Sequence, residues 1–146
     1  LVKGKIMDLN QIKLNTEQLP VDIFSTVAQE AAEHIQPQLN ERGRTADTNK
    51  STQLRKFYDE LAMWHDKVFQ AADRAGEYQK AAPFIQMLKA KAAYAQGRGH
   101  VDKHFVDMFN RIIGEINSAD SLKNAKLFFE AVLGFRKANE KPSEAK

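Results

Sequence analysis

Two histidines four residues apart, His100 and His104, give the one spacing in this sequence that is typical of a metal site. Side chains at positions i and i+4 share a face of a helix, so two imidazoles placed this way can hold one ion. The stretch lacks the catalytic acid of a zinc-protease helix, no third ligand is evident, and Lys103 lies beside the pair. We therefore predict neither a metal site nor a cofactor.

The residues that enzymes commonly use for catalysis are missing or dispersed. The sequence contains no cysteine nucleophile, and no glycine-rich phosphate loop follows a strand. Acidic residues are spread along the predicted helices close to lysine or arginine, which is typical of a solvated surface. His65 falls on the apolar stripe of its helix, which favours a packed, hydrogen-bonded histidine over a catalytic base. We predict that the chain is not an enzyme.

Basic residues form the more informative pattern. Residues 80–104 contain one acidic residue, Asp102, among the cations Lys80, Lys89, Lys91, Arg98 and Lys103. On a helix, Lys91, Tyr94 and Arg98 occupy positions i, i+3 and i+7 and share one face. Glycines on both sides of Arg98 let the backbone approach a partner closely.

A second basic cluster, Lys50, Arg55 and Lys56, opens the longest predicted helix, and the preceding loop adds Arg42 and Arg44. The dipole of a helix attracts phosphate to its N-terminus, which favours this cluster as an anion site. Cations with an interleaved aromatic residue suit a phosphate backbone and a stacked base. The alternative is that these lysines and arginines form an ordinary solvated surface.

The elements that carry these residues are predicted from the spacing of the apolar side chains, which is helical in five segments. The predicted helices cover about residues 21–36, 51–72, 83–97, 101–116 and 121–138. Pro37 ends the first helix, and the "DRAGEY" stretch, residues 73–78, is predicted to break the chain before a third helix with Pro83 in its first turn.

These helices, joined by short connections and without a convincing strand, predict an all-α fold. We expect a single compact bundle of about five helices over residues 21–138. A loosely ordered N-terminal arm, residues 1–20, precedes the bundle, and a flexible tail, residues 139–146, follows it.

Composition narrows the class of protein further. The chain has 146 residues, of which 42% are hydrophobic and 28% charged, and a net charge of +3, a mild preference for polyanionic partners. The lack of cysteine excludes structural disulfides and makes an intracellular, cytoplasmic setting the expectation. No apolar run approaches the roughly 20 residues of a membrane span.

Two motifs resemble those of a known family. "TNKSTQLRKFYDEL", residues 48–61, resembles a helix start, and "LKAKAAYAQGR", residues 88–98, resembles a second element, of the small subunit (Csm-type) of type III-A CRISPR effector complexes. The closing "NAKLFFEAVLGFRK" is similar to the last helix of that family. The second motif departs from the pattern, because Ala90 replaces a proline and Ala92 replaces a leucine.

The resemblance implies a non-catalytic, all-helical, RNA-binding subunit of an antiviral ribonucleoprotein. Such subunits stack on copies of themselves beside the guide-containing backbone subunits and the large subunit, and they line the channel for the target RNA. Carried over by position, the RNA-binding residues are Lys50, Arg55, Lys56, Lys89, Lys91 and Arg98.

Two hypotheses remain for the role of Tyr94. Its ring either packs into the core, which we favour because the family has an aromatic residue there and buried tyrosines are common, or stacks on an RNA base. Lys137, on the last helix, is predicted to lie away from both basic clusters and so to serve as a control position.

Two other functions remain open from the sequence. The chain is alternatively a helical protein-interaction or assembly module without direct nucleic-acid binding. A small metal-dependent hydrolase that uses His100 and His104 is the weakest of the three hypotheses.

Overall fold

The computed structural model describes residues 7–37 and 48–139, and within these ranges the chain is helical and contains no strand. The α-helices are α1 (Ala28–Glu33), α2 (Ser51–Gln70), α3 (Arg74–Gln86), α4 (Leu88–Gly97), α5 (Lys103–Gly114) and α6 (Ala119–Asn139). A 3-10 turn (Leu9–Gln11) lies in the arm, and a π-helical turn (Ile23–Val27) leads directly into α1. Arg42 and Arg44 lie outside the described residues.

The predicted all-α bundle of about five helices is confirmed, with α3 and α4 occupying the place of the single predicted third helix. Only Met87 separates α3 from α4. Its N–H donates to the Pro83 carbonyl at 3.0 Å, and its own carbonyl accepts from the Lys91 N–H at 3.3 Å. Backbone hydrogen bonds of helical spacing therefore continue through the junction.

The predicted break at residues 73–78 is wrong, because α3 begins there. The Asp73 carboxylate caps the helix by accepting the Gly76 N–H at 3.0 Å, which satisfies one of the amide groups left open at a helix start. Tyr78 is buried in the next turn. Pro83 lies in the last turn of α3 rather than in a first turn, where its missing N–H removes one helical hydrogen bond shortly before the junction at Met87.

Four phenylalanines form the aromatic centre of the core and join three helices. Phe57 of α2 lies 5.3 Å from Phe105 and 5.2 Å from Phe109, both on α5, measured between ring centroids. Phe129 of α6 lies 5.7 Å from Phe109. Aromatic pairs at these distances add stabilisation beyond the burial of their apolar area. Around this centre α1 packs on α6, α6 on α2, α2 on α3 and α4 on α5.

The described part of the N-terminal arm, from residue 7, is fixed to the bundle. Ile12 and Leu14 are fully buried. The Leu14 N–H donates to the Glu115 carboxylate at 2.9 Å, and its carbonyl accepts from the Asn124 amide at 2.9 Å. The Arg111 guanidinium donates to the Ile12 carbonyl at 2.9 Å. Residues 12–14 thus belong to the packed domain, although nothing in their periodicity indicated it.

Asn49 and Arg136 form a buried polar junction between distant parts of the chain. Asn49 is fully buried and has a positive φ of 61°, a conformation that asparagine tolerates better than most residues. Arg136 is 2% exposed and donates to the carbonyl of Ile35 at 2.9 Å, to the hydroxyl of Ser51 at 3.2 Å and to the carbonyl of Asn49. The end of α1, the start of α2 and the last turns of α6 therefore meet here.

We predict that Arg136→Ala lowers the free energy of unfolding by at least about 3 kcal/mol, because it leaves several buried acceptors without a donor. Urea denaturation followed by circular dichroism measures the change. Lys123→Ala, at an exposed position on the same helix, is the control and should alter stability by less than about 0.5 kcal/mol. An equally small effect at Arg136 would contradict the structural role of the junction.

Candidate nucleic-acid interface

The start of α2 and the end of α6 border an open groove, which we call the basic groove. Its lining contains four cations, one carboxylate and one aliphatic side chain. The residues that line it are Ser51, Thr52, Arg55, Lys56, Asp59, Leu133, Arg136 and Lys137. The backbone N–H groups of the first turn of α2 also lie at this end of the groove. The N-cap residue, Lys50, provides no side-chain hydrogen bond to them. Positive charge and helix dipole thus reinforce each other at one place.

Lys137 belongs to this groove, so the prediction that it lies away from both basic clusters is wrong. The physical reason is the buried residue that precedes it. Arg136 fixes the end of α6 against Asn49 and Ser51, at the start of α2. The neighbouring Lys137 therefore lines the same groove as Lys56, although the two residues are 81 positions apart in the sequence.

Arg55 is held on the surface of the groove. Its Nε donates to Asp59 at 3.1 Å one turn later, and its Cζ lies 5.7 Å from the centroid of the Tyr58 ring. The Tyr58 hydroxyl in turn lies 3.0 Å from the Glu130 carboxylate. Partial burial and this hydrogen bond raise the pKa of the Tyr58 hydroxyl above its ordinary value. Lys56 is exposed to solvent on the adjacent face.

The face of α4 that carries Lys91, Tyr94 and Arg98 forms a second surface, which we call the α4 patch. The Arg98 guanidinium donates to the Tyr94 hydroxyl at 3.3 Å and lies 5.8 Å from the ring centroid. The Lys91 ammonium pairs with Glu60 of α2 at 2.6 Å. Of the two cations, Arg98 keeps more donors for a ligand, because Lys91 must first share or release Glu60.

Tyr94 is 67% exposed, so the favoured hypothesis that its ring packs into the core is wrong. The buried edge of α4 consists instead of Leu88, Ala92 and Ala95. These residues recur at helical spacing, and Tyr94 falls off their stripe. The structure leaves the ring accessible for stacking, with Arg98 beside it.

Lys89 points away from the α4 patch. The Lys89 ammonium lies close to Gly114, at the end of α5, where a Cβ atom in place of the glycine hydrogen would be 3.6 Å from it. A cation near the C-terminal end of a helix is stabilised by the exposed carbonyl groups there. The six cations predicted to bind RNA are therefore not all on one surface, and Lys89 has a local role in packing α4 on α5.

The basic groove and the α4 patch are joined through the turn that follows α4. The Thr48 hydroxyl donates to the Gly99 carbonyl at 2.9 Å, and the Asn49 N–H donates to the His100 carbonyl at 2.9 Å. The side-chain oxygen of Asn49 accepts the Asp102 N–H at 3.1 Å. Gly99 has a φ of +80°, which glycine adopts without strain. Residues directly before Lys50 thus touch residues directly after Arg98.

The histidines do not assemble a metal centre in the described parts of the chain. His104 faces His34, with ring centroids 6.1 Å apart, while Asp102 is engaged in capping α5 through the Phe105 N–H at 3.0 Å. No three histidine, aspartate or glutamate side chains gather as a ligand set in residues 7–37 and 48–139. His65 stacks on Phe69 at 4.4 Å and contacts Asp66 at 2.9 Å, as expected for a packed, hydrogen-bonded residue.

The fold and this surface define an all-helical protein with a bipartite basic face. The family model of Csm2 Type III-A matches residues 21–142. The chain therefore belongs to this family and is a small subunit of type III-A CRISPR complexes, as the two motifs indicated. No curated protein and no solved structure matches the chain. Among the described residues, no helix is both long and apolar enough to span a membrane.

We predict that Tyr94→Ala changes the free energy of unfolding by less than about 0.5 kcal/mol, because the ring is mostly exposed. Tyr78→Ala is the matched control: this tyrosine is buried, and its truncation should cost about 3 kcal/mol or more. Thermal and urea denaturation of the two variants provide the comparison. A destabilisation at Tyr94 similar to that at Tyr78 would mean that the ring is part of the core.

Proposed function

We propose that the chain binds single-stranded RNA across the basic groove and the α4 patch. In this role it lines the target-RNA channel of a cytoplasmic type III-A effector complex that acts in antiviral defence. Its partners are the target RNA, the guide-containing ribonucleoprotein, the neighbouring backbone and large subunits, and further copies of itself. Family membership supports the assembly, and the surface chemistry supports the RNA contact.

The observation that carries the RNA proposal is the hydrogen-bonded connection between residues 48–49 and 99–102. It fixes two sets of cations at a constant separation without placing them in one helix. A flexible, negatively charged strand can extend over such a surface from one set of cations to the other, whereas a compact anion would contact only one set. Tyr94 lies in the α4 patch with its ring exposed, which suits a base next to the phosphate bound by Arg98.

We assign unequal roles to the cations that the sequence indicated. Lys56 and Arg98 are the principal phosphate ligands, and Lys137 joins them as a groove residue. Lys50 and Arg55 assist at the start of α2. Lys91 contributes less because of its pairing with Glu60. Lys89 contributes least, because its ammonium lies beside Gly114 at the end of α5, away from the α4 patch.

The salt dependence of binding tests these assignments. For a single strand, removing one ionic interaction with a phosphate should lower the magnitude of the slope of log K against log salt by about 0.7. We expect this change in Lys56→Ala, Arg98→Ala and Lys137→Ala, measured by fluorescence anisotropy with a labelled oligoribonucleotide of mixed sequence. Lys91→Ala should have a smaller effect.

Lys123→Ala is the matched control, since it removes one exposed positive charge outside the groove and the α4 patch. Its slope should equal that of the unaltered chain. Equal effects at Lys123 and Arg98 would show that net charge, and not the proposed surface, attracts RNA. An unaltered chain without measurable RNA binding at low salt would favour the alternative of a pure protein-interaction module.

Tyr94→Ala should weaken RNA binding by about 1–3 kcal/mol, the usual effect of removing one stacked aromatic residue. Tyr94→Phe keeps the ring and should retain most of the affinity. If both variants bind RNA equally weakly, the hydroxyl that contacts Arg98 matters and the ring does not stack.

The purified chain should not cleave RNA with any divalent metal, because no three histidine, aspartate or glutamate side chains gather as a ligand set among the described residues. Gel analysis of a labelled RNA incubated with Mg²⁺, Mn²⁺ or Zn²⁺ tests this expectation. Cleavage that disappears in a His100→Ala, His104→Ala double variant would place a metal-dependent activity at these histidines.

A further inference from the structure

A line of exposed side chains on α3 and α4 continues the α4 patch toward the middle of α3. Backbone hydrogen bonds of helical spacing pass through the junction at Met87, so the two helices form one rod. Residues three and four positions apart share one face of such a rod. The line, which we call the outer stripe, follows this spacing from end to end. Its members are Lys80, Phe84, Met87, Lys91, Tyr94 and Arg98.

The outer stripe faces solvent over its whole length. Phe84 is 54% exposed and Met87 is 51% exposed, values that are unusual for large apolar side chains. The three cations of the stripe are exposed as well. Two aromatic rings on one polar face, ten residues apart, are not part of the core. Exposed apolar side chains that lie together in this way mark a contact site for another molecule.

Cations and rings alternate along the outer stripe. Phe84 lies between Lys80 and Lys91, and Tyr94 lies between Lys91 and Arg98. No acidic residue occurs in residues 78–101, so the stripe itself carries only positive charge. Contact sites for proteins instead gather their apolar residues at the centre and their charges at the rim. Nucleic-acid single strands present phosphates and bases in turn along their length, which is the pattern that the stripe matches.

The Phe84 ring is held in one orientation from behind. Trp64 of α2 stacks on it, with the centroids 5.7 Å apart and the planes within 14° of each other. Trp64 thus covers one side of the phenyl ring, and the other side remains in contact with solvent. Tyr94 is restrained in a similar way by the guanidinium of Arg98, 3.3 Å from its hydroxyl. A restrained ring loses little conformational freedom when a base stacks on it.

The two rings are too far apart for one base to contact both. Ten residues of helix correspond to about 15 Å, and the 18 residues from Lys80 to Arg98 correspond to about 27 Å. The stripe therefore offers successive places along a strand. Its Arg98 end continues into the turn that contacts the start of α2, where the basic groove begins. Lys91, in the middle, is paired with Glu60, so the outer cations have more donors available for phosphate.

We propose that Lys80 and Phe84 form a further RNA subsite, at which the phenyl ring stacks on a base and the ammonium binds a neighbouring phosphate. Met87 lies between this subsite and Lys91, and its flexible thioether chain can pack on the intervening sugar or base. The inference rests on the proposed function and deepens it, because it extends the bound strand from α4 along the second half of α3. The ligand is single-stranded RNA of any sequence, since stacking and phosphate contacts carry little base information.

Photocrosslinking of the full chain to RNA tests the position of the strand directly. The probe is an oligoribonucleotide of about 16 nucleotides that contains 4-thiouridine. Trypsin cleaves after Lys80 and Lys89 and after Lys91 and Arg98, so Phe84 and Tyr94 fall in different peptides, residues 81–89 and 92–98. We expect mass spectrometry to find crosslinked nucleotides on both peptides. Crosslinks on residues 92–98 without any on residues 81–89 would overturn the subsite.

Substitutions of Phe84 test whether the ring stacks. Phe84→Ala should weaken RNA binding about five- to 150-fold, the usual effect of removing one stacked aromatic side chain. Phe84→Tyr keeps a ring and should retain most of the affinity, whereas Phe84→Leu keeps only the apolar volume and should bind weakly. Full affinity in Phe84→Leu would overturn the stacking role. Leu127→Ala, at an exposed apolar position on α6, is the matched control and should bind normally. Melting temperatures verify that each variant is folded.

Lys80→Ala tests the phosphate contact without altering any ring. The magnitude of the slope of log K against log salt should fall by about 0.7, and Lys80→Arg should restore it because the charge returns. Lys123→Ala is again the control, since it removes an exposed lysine outside the stripe. An unchanged slope in Lys80→Ala would overturn the role of this lysine as a phosphate ligand.

Failure of the subsite is distinguishable from failure of the proposed function. If Arg98→Ala and Lys56→Ala change the salt slope while Phe84→Ala and Lys80→Ala bind RNA like the unaltered chain, the RNA surface stands and the subsite is overturned. The exposed Phe84 ring would then belong to a contact with a protein. If the unaltered chain binds no RNA at low salt, the proposed function fails, and the subsite fails with it.

Discussion

The buried pairing of Asn49 with Arg136 is the constraint on which the functional surface depends. A guanidinium in the interior must be fully supplied with acceptors, and a backbone with positive φ must be held by its neighbours. Both requirements are met at one point, where carbonyls of Ile35 and Asn49 accept from the arginine and Asn49 bonds to His100 and Asp102. Four segments that are far apart in sequence are thereby given one relative position. The cations beside them, Arg55, Lys56 and Lys137, are set in place by this buried junction.

Close packing of α4 explains why its polar face is so well exposed. The inner edge of this helix consists largely of alanine, and small side chains allow a helix to approach its neighbour closely. Lys91, Tyr94 and Arg98 do not belong to this buried edge and are exposed at the surface. The turn after Gly97 then bends back to the start of α2 through Gly99. An alanine-rich edge and a basic aromatic face are two results of the same packing arrangement.

Periodicity predicted the all-α bundle well, because most helices bury a continuous apolar stripe such as that of α5. It misplaced the start of α3, where the cap formed by Asp73 outweighs the helix-breaking tendency of Gly76 and Pro83. Tyr94 was misassigned on the frequency of buried tyrosines, although the alanine stripe of its own helix indicates exposure. The place of Lys137 depends on a tertiary hydrogen bond of its neighbour Arg136 and has no local signal. The two basic clusters were recognisable in sequence, but their union through residues 48–49 and 99–102 was not.

Residues 12–14 of the arm make their hydrogen bonds with partners about 100 residues later in the chain, on α5 and at α6. During synthesis these residues leave the ribosome long before their partners are made. Arg136 is likewise made long after Ile35 and Asn49, whose carbonyls accept its hydrogen bonds. Contacts of such separation carry a large loop-closure entropy and form late in folding. A partly synthesised chain therefore has its two basic clusters but lacks the junction that aligns them, so the complete surface exists only once the last helix has docked.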